Sequence, residues 1–363
     1  MSESPFSPDF PSARSRFRNA STAAGAALSE YSYSERGPGN EVLTTDVAWL
    51  GPRDARNVLV TVSGTHGVEG FCGSGAQIEW LERFARSETK KPAPDTAVML
   101  VHAINAYGFA WRRRVTQENI DLNRNWVDFD QALPTNDDYD QIAAAVCPTE
   151  WNDEVRQRSM AELMAYINAH SPEKFIQTVS GGQFKHPKGL FYGGTSPSAA
   201  RLTLTSIFSD HLSHAARIGI IDFHSGLGPS GVGERMVIAS PTSDMFDRAR
   251  AWYGASVTSV SSGDSSSSKI AGGWIGAAPD LLPHAEVTAI GLEFGTVKPM
   301  LVLDALRADN WLHAYGDPQS PSAHAIKAAI FSAFYTDSDM WRGMVLGQSL
   351  LACNEALTGL QMR

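Results

Sequence analysis

The chain has little of several features that define other classes of protein. It has only three cysteines, Cys72, Cys147 and Cys353, which is not the disulfide framework of a small secreted protein. No apolar run approaches the length of a membrane span. The start, MSESPFSPDFPSARSRF, is polar and lacks the apolar segment of a signal peptide. We therefore expect a cytoplasmic protein without a membrane partner.

An excess of basic residues is also absent. The formal net charge is −9 over 363 residues, and no basic stripe extends beyond one arginine cluster, so nucleic acid is not an expected partner. Residues 1–18 are rich in Ser and Pro, which predicts a flexible or loosely docked arm. The rest, 43% hydrophobic over the whole chain, can bury a single large core. Strand and helix patterns alternate along it, which predicts an α/β fold.

Two predicted strands are each followed by side chains that can bind a metal ion. The run VLVTVSGTHGVEGFCGSG begins as a buried strand and continues into a turn with His66 and Glu69. The run RIGIIDFHSGLG presents His224 at the end of another strand. Ligands of open α/β sheets bind outside the carboxyl ends of strands, and catalytic zinc is commonly held by two His and one Glu. Single histidines are usually surface or core residues, but this joint placement predicts a zinc site, with His186 a much weaker candidate.

Between these strands lies a segment that concentrates arginine. It is LVHAINAYGFAWRRRVTQENIDLNRNWVDF, with Arg112, Arg113 and Arg114 in a row and the pair Asn123-Arg124 further on. Guanidinium groups recognise carboxylates through paired hydrogen bonds. A solvated basic turn is the ordinary explanation of three consecutive arginines. The Asn123-Arg124 pair is less easily explained that way, because it lies in the mixed run DLNRNW.

The motifs HGVEG, DLNRNW, DFHSG and GLEFGT, in this order, resemble the M14 zinc carboxypeptidases. They are most similar to the carboxypeptidase-like bacterial group DUF2817, from about residue 57 to residue 296. The resemblance implies a mixed, mostly parallel twisted sheet flanked by helices, with the active site at the C-terminal ends of the strands. It also implies that residues 19–363 form a single M14-like zinc hydrolase domain.

By that resemblance, specific residues receive roles. The ligands of one Zn²⁺ per chain are His66, Glu69 and His224. Asn123 and Arg124 match the pair that holds the substrate's terminal carboxylate, and Glu293 matches the general base and acid that activates the attacking water.

The arginine that polarises the scissile carbonyl has three candidates. Arg114 fits best because a polar residue follows two positions later. Arg113, which is also a candidate for substrate binding, is second, and Arg112 is third.

One departure from the digestive carboxypeptidases concerns substrate choice. Those enzymes have a mobile tyrosine a few residues before a Gly-Gly pair, which here is Gly272-Gly273. The preceding stretch, SSGDSSSSKIAGG, has no tyrosine, as in related deacylases of N-acyl amino acids. The same alignment places Trp274 and Ile275 near the floor of the specificity pocket, which indicates an apolar preference.

Three hypotheses for function remain open. The first is a zinc hydrolase of the carboxypeptidase type, which removes a C-terminal residue from a small peptide. The second is an N-acyl amino acid deacylase or amidohydrolase of the aspartoacylase type. The third is a catalytically silent metabolite-binding protein, against which Glu293 argues because such a protein has no need of a general base. The first two predict a substrate with a carboxylate next to the amide bond, and the sequence leaves the oligomeric state open.

Overall fold

The computed structural model describes residues 4–362, which form twelve helices and eight strands. The helices are α1 Phe10–Ala23, α2 Gly70–Ala85, α3 Ala106–Ala110, α4 Asp137–Val146, α5 Asp153–Ala169, α6 Pro172–Ser180, α7 Ala199–Leu212, α8 Asp244–Tyr253, α9 Trp274–Leu281, α10 Pro299–Ala314, α11 Ala323–Phe334 and α12 Asp339–Gly359. The strands are β1 Ala27–Arg36, β2 Val42–Leu50, β3 Asn57–Val62, β4 Thr96–His102, β5 Arg217–Ser230, β6 Gly233–Val237, β7 Thr258–Ser259 and β8 Glu286–Gly295. None of the helices in this part of the chain combines the length and the apolar character that a membrane crossing requires.

All eight strands belong to one sheet, in the order β1-β2-β4-β3-β5-β8-β6-β7. The four central strands β4, β3, β5 and β8 run parallel to one another, while β1, β2 and β6 pair with their inner neighbours in the antiparallel sense. The central strands are mostly apolar and buried because helices cover both faces of a parallel sheet. This architecture confirms the predicted α/β fold with a mixed, mostly parallel sheet.

The predicted flexible arm is wrong for the part of it that the structure describes. Helix α1 begins at Phe10, after Asp9 accepts a hydrogen bond from the backbone N–H of Ser12 as an N-cap. Phe10 and Phe17 are buried, and their rings lie against Phe109 and His102. The Ser- and Pro-rich composition concealed an apolar stripe at helical spacing. Residues 1–3 lie outside the described part of the chain.

A helical segment separates the two halves of the site in sequence. Between the arginine-containing loop and β5, the chain forms α4, α5, α6 and α7. Helices α4, α5, α6 and α10 share a core that includes Tyr139, Leu163, Phe175 and Leu306. This core lies outside the two larger ones on the faces of the sheet. It therefore adds walls to a site whose floor is formed by the strand ends.

Candidate metal centre and active site

The three predicted metal ligands meet beyond the carboxyl end of β3 and beside the middle of β5. After β3 ends, His66 precedes a single 3₁₀ turn, Gly67–Glu69, which continues into α2. His224 lies within β5, and all three side chains are buried. Their ligand atoms all lie within 4.8 Å of one another. The structure therefore brings together the set that was predicted from two separate strand ends.

A close approach of backbones holds the turn between His66 and Glu69. A Cβ atom on Gly67 would lie 2.0 Å from the carbonyl carbon of Gly108, so only glycine fits there. The N–H groups of Gly67 and Val68 donate to the carbonyls of Arg114 and Arg113, at 3.0 and 2.9 Å. The turn that presents two of the candidate metal ligands is thus bonded directly to the arginine loop.

The donor set and its surroundings fit a divalent zinc ion. Nδ1 of His66 lies 2.9 Å from Oε1 of Glu69, and Nδ1 of His224 lies 2.8 Å from Oε2 of the same carboxylate. The remaining nitrogens face other carboxylates: Nε2 of His66 is 3.3 Å from Asp121, and Nε2 of His224 is 2.6 Å from Asp222. Carboxylates behind imidazole ligands are the usual second layer of a zinc site.

The charges around Glu69 keep it in the ionised form that binds a metal. Burial raises the pKa of Glu69, but the positive charge of His66 and the hydrogen bond from His224 outweigh burial and place the pKa well below its ordinary range. Burial lowers the pKa of His224, yet the Asp222 carboxylate raises it well above its ordinary value. A bound cation would take over the part that the His224 imidazolium plays in this charge balance.

Asp121 and Asp222 are site residues that the sequence analysis missed. Both are completely buried. Burial raises the pKa of Asp121, but the neighbouring Arg114 and Arg124 lower it far more. A signal was present in the sequence, since Asp222 lies two residues before His224 on one strand and so projects to the same face. For Asp121, the run DLNRNW showed the residue but not what it contacts.

Glu293 lies beside His224 on the neighbouring strand. The two residues are register partners in β8 and β5, so their side chains project from the same side of the sheet. Oε1 of Glu293 accepts a hydrogen bond from the N–H of Leu227 at 3.0 Å. Burial and the negative charge of Glu69 raise the pKa of Glu293 to about 8. A carboxyl group in these surroundings can both accept and return a proton near neutral pH.

Arg114 is the member of the arginine cluster that reaches the metal ligands. Its guanidinium donates to Oδ2 of Asp121 at 2.9 Å and to Oε1 of Glu69 at 3.0 Å, and lies 2.8 Å from Nε2 of His66. It also packs over the ring of Phe191, 5.3 Å from the ring centroid. Arg114 is thus placed to donate to an oxygen that develops negative charge beside the ligands.

Arg124 lies across the same Phe191 ring and is only 3% exposed. Its nearest carboxylate oxygen, on Asp121, is 3.9 Å away, and its other bonds are to the carbonyls of Asn123 and Ser180. Burial lowers the pKa of Arg124 to about 10 because this single shared carboxylate compensates the charge incompletely. An anion from a ligand would complete that compensation.

Asn123 lies beside Arg124 and is held from behind. Its side-chain oxygen accepts from the N–H of Trp274 at 3.2 Å, and its backbone N–H donates to Asp121 at 2.9 Å. The side-chain NH₂ can therefore point into the cavity that Asn123 lines.

Other candidates are not brought to the site. Arg113 is buried against Asn119 and Asp309 and does not line the cavity that contains the other predicted residues. Arg112 donates to the carbonyl of Pro8 on the surface. His186 pairs with Asp140 at 2.8 Å, on an exposed face.

Trp274 differs from the expectation that it lines the specificity pocket. It is buried beneath the site and donates from Nε1 to Oδ2 of Asp222 at 2.6 Å. Ile275 does line the cavity, as expected. Trp274 therefore supports the carboxylate behind His224, and contact with a ligand falls to its neighbour.

The ligands open into a cavity of about 600 Å³. The serine-rich loop lines it where the sequence comparison placed the absent tyrosine, with Ser266, Ser267 and Ser268. This loop is tied down at two points: Glu234 accepts hydrogen bonds from Ser266, and the hydroxyls of Ser180 and Ser268 lie 2.6 Å apart. No tyrosine is found among the described residues that line the cavity.

Comparison with solved structures defines the class of fold. The structure of bovine thrombin-activatable fibrinolysis inhibitor in complex with tick carboxypeptidase inhibitor matches with a TM-score of 0.53 at 11% identity, over 98% of this chain and 97% of that chain. Carboxypeptidase A from Helicoverpa armigera has a TM-score of 0.49 at 11% identity, over 90% of this chain and 73% of that chain. The first of these likenesses shows a carboxypeptidase-like fold.

Comparison by sequence then identifies the family. The model of the family described as "Protein of unknown function (DUF2817)" matches residues 6–348, so the chain belongs to the DUF2817 family. The predicted resemblance is thereby confirmed. A comparison with curated proteins gave no match.

Proposed function

We propose that this protein is a zinc-dependent hydrolase that cleaves an amide bond next to a free carboxylate. The observation that supports this most is one cavity lined by three groups of side chains. They are the metal-binding set His66, Glu69 and His224, the buried carboxyl of Glu293, and the incompletely compensated guanidinium of Arg124. Amide hydrolysis next to a carboxylate uses each of these groups.

One Zn²⁺ per chain would be held by His66, Glu69 and His224, with Asp121 and Asp222 orienting the two imidazoles. Bound there, zinc supplies Lewis acidity, which polarises a carbonyl and lowers the pKa of water. The buried carboxylates keep each imidazole in the orientation that binding requires.

The proton transfers are assigned to Glu293. Its carboxylate takes a proton from the attacking water and then gives it to the leaving nitrogen, so that the amide C–N bond breaks and one water is consumed. Glu293 lies beside His224 and so near the three candidate metal ligands. The hydrogen bond from the N–H of Leu227 orients its carboxyl group.

Arg114 and Arg124 divide the negative charges of the substrate between them. Arg114, beside the ligands, donates to the carbonyl oxygen as it becomes an oxyanion. Arg124 and the amide of Asn123 bind the substrate's free carboxylate. Both guanidinium groups pack over the ring of Phe191, each 5.3 Å from its centroid.

The decisive experiment combines a change in the substrate with a change in the proposed carboxylate clamp, which is formed by Arg124 and Asn123. Lys cannot reproduce the planar fork of Arg124, so Arg124→Lys should lower kcat/KM by about 10- to 100-fold on a substrate with a free carboxylate. Conversion of that carboxylate to a neutral amide should cost the wild type a similar factor. The two losses should not add, because both remove one interaction.

Arg217→Lys is the matched control. Arg217 is the first residue of β5, away from His224, and donates a hydrogen bond to Glu286. This control should leave both substrates unaffected. If the wild type hydrolysed free and amidated substrates equally well, the proposed carboxylate clamp would be wrong.

A deacylase of N-acyl amino acids is a second candidate within the same chemistry. Its substrate also has a carboxylate next to the amide, so the same residues serve it. The serine-rich loop favours it, because this loop occupies the place of the tyrosine that the digestive carboxypeptidases use. Competition between a dipeptide and an N-acyl amino acid for the same enzyme gives the ratio of their kcat/KM values, which distinguishes the two candidates.

A further inference from the structure

Three helices outside the sheet give the active-site cavity an apolar wall. Ile167 from α5, Phe175 and Ile176 from α6, and Met300, Leu303 and Leu306 from α10 all line the same cavity as the metal-binding set. Neither the proposed metal site nor the proposed carboxylate clamp uses these side chains. Their presence implies a ligand with a large apolar part in addition to its carboxylate.

Part of this wall consists of apolar side chains that are exposed to solvent. Met164, Ile176 and Met300 are 43%, 46% and 38% exposed, and all three line the cavity. Apolar side chains clustered at the opening of a cavity are typical of a surface that a ligand covers. The rest of the wall continues inward through Leu303, which is 9% exposed.

The wall suits an alkyl chain better than a peptide, because its side chains offer no hydrogen-bond partners. The backbone N–H and C=O groups within these helices are bonded along the helix, and the side chains just named offer no hydrogen bond. The hydroxyl of Ser180 already donates to the carbonyl of Ile176 and meets Ser268. A peptide backbone against this wall would leave its polar groups without partners, whereas a methylene chain has none to satisfy.

We propose that the substrate is an N-acyl amino acid with a medium or long alkyl chain, whose chain lies between α5, α6 and α10. This inference rests on the proposed function and specifies its substrate. Hydrolysis would consume one water, break the amide C–N bond and form a C–O bond, releasing a fatty acid and an amino acid whose nitrogen receives the proton. The cavity, about 600 Å³, is within the range of sites that enclose small ligands.

The test is a series of N-acyl leucines from acetyl to dodecanoyl, kept below their critical micelle concentrations. Each methylene moved from water to the apolar wall should raise kcat/KM by up to about fourfold. We expect an increase of at least about 100-fold between acetyl and octanoyl, and a plateau once the chain fills the cavity. The zinc-loaded Glu293→Gln variant, titrated calorimetrically with the same compounds, gives the dependence of Kd on chain length without turnover.

A matched pair of variants assigns the effect to the wall. Ile176→Asp places a carboxylate on the wall at a partly exposed position, and should lower the octanoyl-to-acetyl ratio of kcat/KM by at least about tenfold. Leu202→Asp is the control, because Leu202 on α7 is 56% exposed and lies outside the cavity. It should leave the ratio unchanged. Met300→Asp repeats the test on another helix.

The outcomes separate this inference from the proposed function. Hydrolysis that is equally fast for acetyl and octanoyl substrates, with equal Kd values, would overturn the acyl-chain inference and leave the hydrolase intact. Failure to hydrolyse any compound, with a Kd that still falls with chain length, would overturn the hydrolase and support the acyl-chain site. A preference for tripeptides with apolar residues over dodecanoyl-leucine would show that the wall receives a peptide instead.

Discussion

Replacement of Asp222 by Asn removes a charge behind the proposed metal site and leaves its size unchanged. Three buried donors converge on the Asp222 carboxylate: Nε2 of His224 at 2.6 Å, Nε1 of Trp274 at 2.6 Å and the hydroxyl of Thr65 at 2.8 Å. Asp offers two oxygens to these donors, whereas Asn offers one oxygen and one NH₂ group. In the variant the single oxygen can still accept from His224 and Trp274 while the NH₂ group donates to the Thr65 hydroxyl, so what is lost is the negative charge behind His224.

The expected loss of zinc affinity follows from that missing charge. A carboxylate behind an imidazole ligand typically contributes a factor of about 10–100 to metal affinity, which corresponds to about 1.4–2.7 kcal/mol. Because Asp222 is completely buried, water does not compensate for the lost charge. We expect Asp222→Asn to raise the zinc Kd by this factor while the sheet around it keeps its structure.

Competition with a chromogenic chelator measures the zinc Kd of both proteins. Asp140→Asn is the control, because Asp140 also contacts a histidine, His186 at 2.8 Å, but on an exposed face away from the cluster. That control should bind zinc as the wild type does. A wild-type zinc Kd in Asp222→Asn would refute the assignment of Asp222 as the group that orients His224.

Three further predictions concern other residues. Glu293→Gln should keep zinc and lose about 10²–10⁴-fold in kcat, and near-normal turnover would make Glu293 structural. Arg114→Ala should lower kcat more than it raises KM, and an effect on KM alone would contradict its role at the oxyanion. Burial lowers the pKa of His102 from 6.5 to about 4. Between these two pH values the unfolded chain binds a proton at His102 and the folded protein does not. The associated stability is present above pH 6.5 and is lost, by roughly 3 kcal/mol in total, as pH falls toward 4. Urea unfolding of chelated wild type and His102→Gln at pH 7.5 and 5 should show a smaller acid loss in the variant, and equal losses would contradict the prediction.

The sequence predicted the centre of the fold better than its edges. Strands β3, β4, β5 and β8 each contain a mostly apolar, buried run, which makes them recognisable without a structure. Strand β1, ALSEYSYSER, lacks that signal because it is a partly exposed edge of the sheet. Helix α1 was missed because Pro11 and Ser12 are typical of a flexible arm, whereas here they form the first turn of the helix after the N-cap Asp9.

The same contrast applies to the site. His66, Glu69 and His224 could be predicted because the ends of parallel strands meet at one edge of a sheet. The separation of Arg113 from Arg114 could not, because adjacent residues in a loop can face opposite sides of it, one toward Asp309 and the other toward Glu69. The wall formed by α5, α6 and α10 also required the structure, since α10 reaches the consecutive helices α5 and α6 only through long-range packing.

The most direct test of the account is a zinc titration of chelator-stripped protein, followed by both metal content and hydrolysis of an amide next to a free carboxylate. We predict that activity returns in proportion to zinc and saturates at one equivalent per chain. His66→Ala should abolish stoichiometric binding, and His186→Ala should not. A folded, stripped protein that binds no zinc, or one that hydrolyses the substrate equally well before and after zinc is added, would contradict the proposed metal centre.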